Sequence, residues 1–276
     1  MPEFAAAASR RLLLLLLTVV GAAVLSALLI HLAPGFGIDE RQLDLRLSES
    51  SVAALSQRPT TQVWDYLIGR WGDSLSLRRP VRELVSERSA LTLRTMIAGL
   101  SSAWAISAFL CIASAWFRRR LPVDLLTGAL LCLPAAVVAL LAMHLQAGPA
   151  LALAVILMPR IARYMHNLLR AGAAKPHVLA ARSRGLSTAA LVLRHICVPA
   201  MPELLALAGI SVSIAAGAII PVEALCDSPG LGQLVWQCAI ARDLPVLVPL
   251  TMLAATLACI ANLLADAGRT LVCRWT

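Results

Sequence analysis

An all-α membrane protein of six spans is the fold this sequence predicts, on three observations. Hydrophobic residues make up 59% of the 276 and charged ones 14%, against about 25% charged in an ordinary soluble domain. The apolar residues are gathered in long Leu/Ala/Val runs, of about the 20 residues that cross roughly 30 Å of hydrocarbon at 1.5 Å each. The arginines stand between those runs. Backbone groups in lipid need internal partners, so such runs are helices. Unbroken apolar stretches also lack the alternation of a membrane β-barrel.

The first run, 12–32, follows Arg10 and Arg11. It is long for the apolar core of a cleaved leader, and Leu32-Ala33-Pro34 is a poor cleavage site. Residues 1–32 are therefore expected as an N-terminal tail and first span. Residues 33–90 are the one long polar region. LAPG at 32–35 marks a helix stop, and WDYLIGRWGDSLSLRRPVRELVSERSALTL reads as short amphipathic helices broken at Gly72 and Pro80.

Residues 91–276 are expected as a five-span core. The second run, 91–117, ends on Arg118, Arg119 and Arg120. The third, 123–146, carries Pro134 in its middle, which predicts a kink. Gly148-Pro149 makes a tight turn, and the fourth run, 150–168, ends among Arg160, Arg163 and Arg170. The fifth is 200–222. The segment 223–245 is broken by Pro229, Gly230 and Gly232, and the sixth run, 246–268, precedes Arg269 and Arg274.

Between the fourth and fifth runs lies a loop, 171–199. Its core, HVLAARSRGLSTAALVLRHICVPAM from His177, is the longest polar interruption of the C-terminal half. It predicts a short helix, a break at Gly185 and a restart at Ser187. It carries Arg182, Arg184 and Arg194 and no acid. A basic helix–Gly–helix is a poor span and a good docking element.

Six spans put the N-terminus, the 118–122 loop, the 171–199 loop and the C-terminus on one side. With the arginines at the end of the fourth run included, that side holds 14 basic residues, and the short 147–149 loop opposite holds none. The long 33–90 loop can translocate despite its charges, so the positive-inside rule makes that side cytoplasmic. The formal charge of +9 is thus a topology signal, and no nucleic-acid partner is expected. Lys175 is the only lysine. Among seven cysteines there is no CxxC pair. Cys111, Cys132, Cys197 and Cys259 lie in or beside apolar runs and act there as small hydrophobes. Cys226 and Cys238 fall on an external stretch, where the sequence leaves a disulfide open.

At these residues the chain resembles the permease subunits of type I ABC importers, in particular the first of the two permeases in dipeptide, oligopeptide and nickel systems. Ala180-Ala181-Arg182, Gly185-Leu186-Ser187 and Arg194-His195 are spaced like the family's EAA loop, with Leu179 where an acid is usual. LAPG is similar to LxPGDP, with Phe36 for the Asp. GDSLSLRRPV at 72–81 is similar to GDxGxSxxxxxPV, and SALTLRTM at 89–96 resembles the threonine-containing start of span two. VEALCDSPGLGQLV at 222–235 resembles VExxFxxPGLGxLL, with Cys226 for an aromatic. ARDLPVL at 241–247 and Asn262 with Asp266 continue the pattern, while the family's DPR ending is replaced by CRWT.

The resemblance implies a six-helix importer permease that pairs with a second, homologous permease. Two ATPase subunits would dock on the cytoplasmic loop and a periplasmic substrate-binding protein on the other face. ATP and magnesium would be bound by the ATPases, and no cofactor by this chain. The sequence agrees in one respect: it has no GxxxxGK[ST], and Lys175 follows AGAA without the glycines of a phosphate loop. The resemblance implies a peptide cargo, with nickel, metal-opine complexes or glutathione as alternatives. A membrane scaffold without transport is a rival from another class, and an exporter a third option.

Single residues carry two readings. Gly185 is an ordinary helix stop or the corner of a coupling helix, and the surrounding motif favours the second. Arg182, Arg184 and Arg194 are topology markers or guanidinium contacts to an ATPase. His195 is expected to make a structural hydrogen bond, because His166 and His177 show no metal-ligand spacing with it. Met143 and His144 are candidates for the pathway of a nickel carrier. Glu223 and Asp243 flank the broken segment and are functional candidates unless paired with Arg242 or a loop arginine. Pro229, Gly230 and Gly232 give irregular backbone expected near the mouth of the pathway. Asn262 and Asp266, at i and i+4, are expected to bond another span.

Overall fold

The computed structural model describes residues 17–21, 24–25, 66, 68–117, 121–187 and 190–272. Most of the first apolar run, the polar region before Tyr66, Arg118 to Arg120 and residues 273–276 lie outside these. The described parts of the first run, 17–21 and 24–25, are helical. The helices that follow are α1 (Val81–Phe117), α2 (Leu121–Cys132), α3 (Ala135–His144), α4 (Pro149–Ala173) and α5 (Pro176–Ser183). Next come α6 (Leu191–Leu225), α7 (Leu231–Ile240) and α8 (Leu244–Val272). No strand occurs among the described residues, only an isolated antiparallel bridge between Asp73 and Pro80.

Three of these helices, α1, α6 and α8, are long and apolar enough to cross a membrane, and α2 with α3 makes a fourth if the bent pair is one span. The fold is all-α and polytopic. The α2–α3 pair bends by 95°, a full break rather than the kink expected at Pro134. Pro134 has no N–H to continue the α2 ladder, and its carbonyl instead receives the N–H groups of Val137 and Val138 to start a new one. The helix α4 carries Arg160, Arg163 and Arg170 from its middle onward, so its apolar stretch is shorter.

Two other boundaries differ from the sequence reading. Helix α1 starts at Val81, ten residues before the apolar run, because Gly72 to Val81 closes as a hairpin turn rather than a helix. Ser74 N–H donates to Arg79 O at 2.9 Å and Val81 N–H to Gly72 O at 3.1 Å. Helix α6 starts at Leu191, inside the expected loop. Its first seven residues, Leu191–Cys197, are wound as a π-helix.

The chain divides into two compact units, Met1–Glu87 with Val235–Ala255, and Arg88–Leu234 with Thr256–Thr276. In the first, Tyr66 and Val248 are buried together with Trp71, Leu244 and Met252 against them. Arg79 clamps the hairpin to the start of α1 through two bonds to Glu87, of 2.6 and 3.1 Å. Both side chains are exposed, so this pair adds little stability.

In the second unit the core runs along α4 and α6, with Leu153, Leu157, Ile161, Leu207, Ala215 and Ile219 buried in it. Hydroxyl bonds tie the helices: Ser107 Oγ–H donates to Met158 O at 3.1 Å and Trp104 Nε1–H to Ser211 Oγ at 3.2 Å. Small residues let the helices touch. A Cβ on Gly209 would lie 2.9 Å from both Ala265 Cβ and Asn262 Oδ1. Gly209→Leu is therefore expected to lower stability in detergent by about 2–3 kcal/mol. A thermal unfolding midpoint unchanged from wild type would refute this packing.

Candidate functional site

The 171–199 connection begins where Ala174 ends α4 and Pro176 opens α5. One face of α5 is apolar: Val178 and Ala181 are buried with Leu191 and Ile196, and Leu169 packs on them. The opposite face is bare, with Leu179 and Leu186 large, apolar and exposed. Ala180, Arg182 and Arg184 are exposed with them. Gly185 ends the element with a φ of +79°, which an L side chain adopts only under strain, and a Cβ there would meet nothing within 4 Å.

The chain then re-enters a helix. Ser187 Oγ accepts from Ala190 N–H at 3.3 Å, and its carbonyl accepts from Leu191 N–H at 2.9 Å. Pro199 has no N–H to give to the carbonyl of His195 four residues back. His177 Nε2 lies 3.4 Å from that carbonyl and donates to it when the proton is on Nε2. Arg194 is exposed and His195 half-buried. One structural consequence of Pro199 is thus a tether from α5 to α6.

A second polar centre sits at the far end of α6. From Arg194 to Glu223 is about 45 Å of helix at 1.5 Å per residue. Glu223 is fully buried. Its Oε2 accepts from Gly232 N–H at 2.7 Å and from Thr92 Oγ at 3.1 Å. Thr92 Oγ in turn accepts from Leu231 N–H at 2.7 Å. The carboxylate and the hydroxyl therefore cap the first two N–H groups of α7, where a helix favours negative charge. A Cβ on Gly230 would fall on the Glu223 carboxylate, and one on Gly232 would lie 2.6 Å from Ile219 O. Both glycines are required by this approach. Gly232 lies in the first turn of α7 and does not break the segment as its sequence suggested. The segment is irregular from Cys226 to Gly230, with Pro229 exposed there, and again from Ala241 to Asp243.

The third centre is in the other unit. Asp243 is buried at the N-terminus of α8. Its Oδ2 accepts from Ser74 Oγ–H at 2.6 Å, Ser76 Oγ–H at 2.7 Å and Ser76 N–H at 2.9 Å. Among the described residues neither Glu223 nor Asp243 pairs with an arginine. The sequence reading looked for Arg242 and overlooked hydroxyls and amides; Thr92, Ser74 and Ser76 were visible only as parts of motifs.

Asn262 donates to Ser213 Oγ on α6 at 2.9 Å and also to Ala258 O. Asp266, half-buried, lies one turn further along α8. Cys226 and Cys238 are not joined in a disulfide. Cys226 lies against Ala139 O at 3.5 Å, and burial pushes its thiol pKa up. Among the described residues no three of His, Cys, Asp and Glu gather as a metal cage.

These features define a class: a multi-pass helical membrane component with one basic, partly apolar knuckle exposed between two of its helices. Residues 105–275 match the family described as binding-protein-dependent transport system inner membrane component, and the chain belongs to that family. It is similar to the glutathione transport system permease protein GsiC of Salmonella typhimurium, 27% identical over 88% of this chain and 90% of that protein. It is also similar to the oligopeptide transport system permease protein AppB of Bacillus subtilis, 28% identical over 43% of this chain and 37% of that protein. The chain is a permease subunit of an ABC importer in the inner membrane.

Proposed function

We propose that this subunit carries peptides by alternating access, beside a second homologous permease, with two ATPases and a periplasmic binding protein as partners. Both termini and α5 face the cytoplasm. The ATPases bind and hydrolyse ATP with magnesium, and α5 receives their motion. The observation that carries this reading is the bare face of α5. Leu179 and Leu186 stand exposed beside Arg182 and Arg184, and the helix is fixed to α6 through Val178, Ala181 and His177. Arg182, Arg184 and Arg194 supply guanidinium donors for carboxylates or carbonyls on the ATPases. Ala180, Ala181 and Leu186 shape the apolar contact, and His195 its anchorage.

Gly185 separates this reading from a simple helix stop. In the chain alone, any side chain at this open position meets only backbone strain, about 1–2 kcal/mol. Gly185→Ala and Gly185→Trp should then fold alike. A seated coupling helix predicts that Gly185→Trp alone loses ATP-driven uptake, by about tenfold or more beyond Gly185→Ala, as one lost contact of about 1.4 kcal/mol gives. Equal uptake by the two variants would rule out the coupling role.

Glutathione is a second reading, favoured because the similarity to the glutathione permease GsiC runs over 88% of this chain. Competition of unlabelled glutathione against a labelled oligopeptide in proteoliposomes holding the full transporter separates the two.

A further inference from the structure

A small cavity of about 200 Å³ opens beside the start of α6, between the end of α4 and the π-wound turn. Lys175, His195 and Glu203 line it, together with Gly172, Ile196 and Pro199. Its floor is tight: a Cβ on Gly172 would lie 3.0 Å from Ile196 Cγ2. It lies apart from the Glu223 centre and shares His195 and Ile196 with the anchorage of the knuckle.

The three ionisable groups do not satisfy one another. Glu203 Oε2 is buried and has no hydrogen-bond partner. Among the described residues no side-chain bond or ion pair joins Glu203, Lys175 and His195. A carboxylate oxygen shut away on a membrane-spanning helix without a donor demands one. Lys175 offers an exposed ammonium, and an imidazole ring carries an N–H in either tautomer. The cavity thus presents one acceptor of cations and two donors to anions, framed by the apolar surfaces of Leu168, Ile196 and Ala200 at one end of a span.

We propose that this cavity binds a phosphate ester carrying its own ammonium group, the chemistry of a phosphoethanolamine headgroup. The ammonium donates to Glu203 Oε2. The phosphate oxygens accept from Lys175 Nζ and from His195. The volume admits such a headgroup. Its place at a span end makes a membrane phospholipid the first source, with a soluble phosphoethanolamine ester as the second.

The test titrates the purified full-length chain in detergent with short-chain phosphatidylethanolamine and phosphatidylglycerol, binding being read by native mass spectrometry. Both lipids have the phosphate and only the first has the ammonium. Wild type is expected to prefer phosphatidylethanolamine by about tenfold, the effect of one charge-assisted bond of about 1.4 kcal/mol. Glu203→Gln should abolish the preference and keep the unfolding midpoint. Lys175→Ala should weaken both lipids together; since Lys175 is exposed, this variant keeps the test readable if Glu203→Gln folds poorly. Displacement of the lipid by soluble O-phosphoethanolamine at equal concentration would support the headgroup chemistry and move its source to a soluble ester. Wild type without a preference, Glu203→Gln with an unchanged preference, or Lys175→Ala with unchanged binding would each overturn the proposal.

Discussion

The double variant Gly230→Ala/Glu223→Ala is expected to be no less stable than Gly230→Ala alone. Each single change should lower stability by about 3 kcal/mol, for different reasons. A methyl group on Gly230 would occupy the space of the Glu223 carboxylate, and overpacking of a closed site costs about 1–3 kcal/mol. Truncating Glu223 leaves Gly232 N–H and Thr92 Oγ–H without their acceptor, a penalty of about 1–3 kcal/mol for each. Removing the carboxylate also makes room for the methyl group, so the two losses overlap. The expected coupling is about 3 kcal/mol in favour of the double variant, measured by thermal unfolding in one detergent. Additive losses within about 0.5 kcal/mol would mean that Gly230 and Glu223 do not meet. Glu223→Gln keeps an oxygen for both donors, and its loss should be about 1 kcal/mol.

Asp243→Ala is expected to release the Gly72–Val81 hairpin while leaving the remaining helices intact. One carboxylate oxygen gathers three donors from Ser74 and Ser76, and it does so at a helix N-terminus, where its charge is favoured. Without it the hairpin keeps only its own backbone bonds. Amide exchange at Ser76 should rise by about a hundredfold, corresponding to about 3 kcal/mol of local opening. Asp243→Asn retains one acceptor oxygen and should raise it by about tenfold. Unchanged exchange in Asp243→Ala would show that the hairpin is held by something else.

Much of this architecture is written in local chemistry. The apolar runs and the arginines between them imply a polytopic helical protein, and the EAA-like spacing around Gly185 carries the family. Both are borne out. Gly185 is legible because a lone glycine in a polar helical stretch has few reasons to be there. The partners of Glu223 are not legible in the same way. A threonine at position 92 looks like any hydroxyl near the start of a span, and a carboxylate among loop arginines suggests an ion pair. Burial decides between them, and burial belongs to the tertiary fold. The same holds for Pro134, where sequence cannot distinguish a bend from a break. It holds for Leu191 to Pro199 as well, since their polarity reads as loop and their winding continues a span. Glu203 escaped notice because the residues that share its cavity come from α4, the α4–α5 turn and α6 together.

The two buried carboxylates also constrain how the chain is made. Glu223 meets Thr92 across 131 residues, and Asp243 meets Ser74 across 169. Neither bond can form until most of the polypeptide has left the ribosome. Until that moment each hydroxyl waits for an acid that has not yet been synthesised. Truncated or stalled chains therefore reach the bilayer with both polar sets open, exposing to surveillance proteases a difference that a finished molecule conceals.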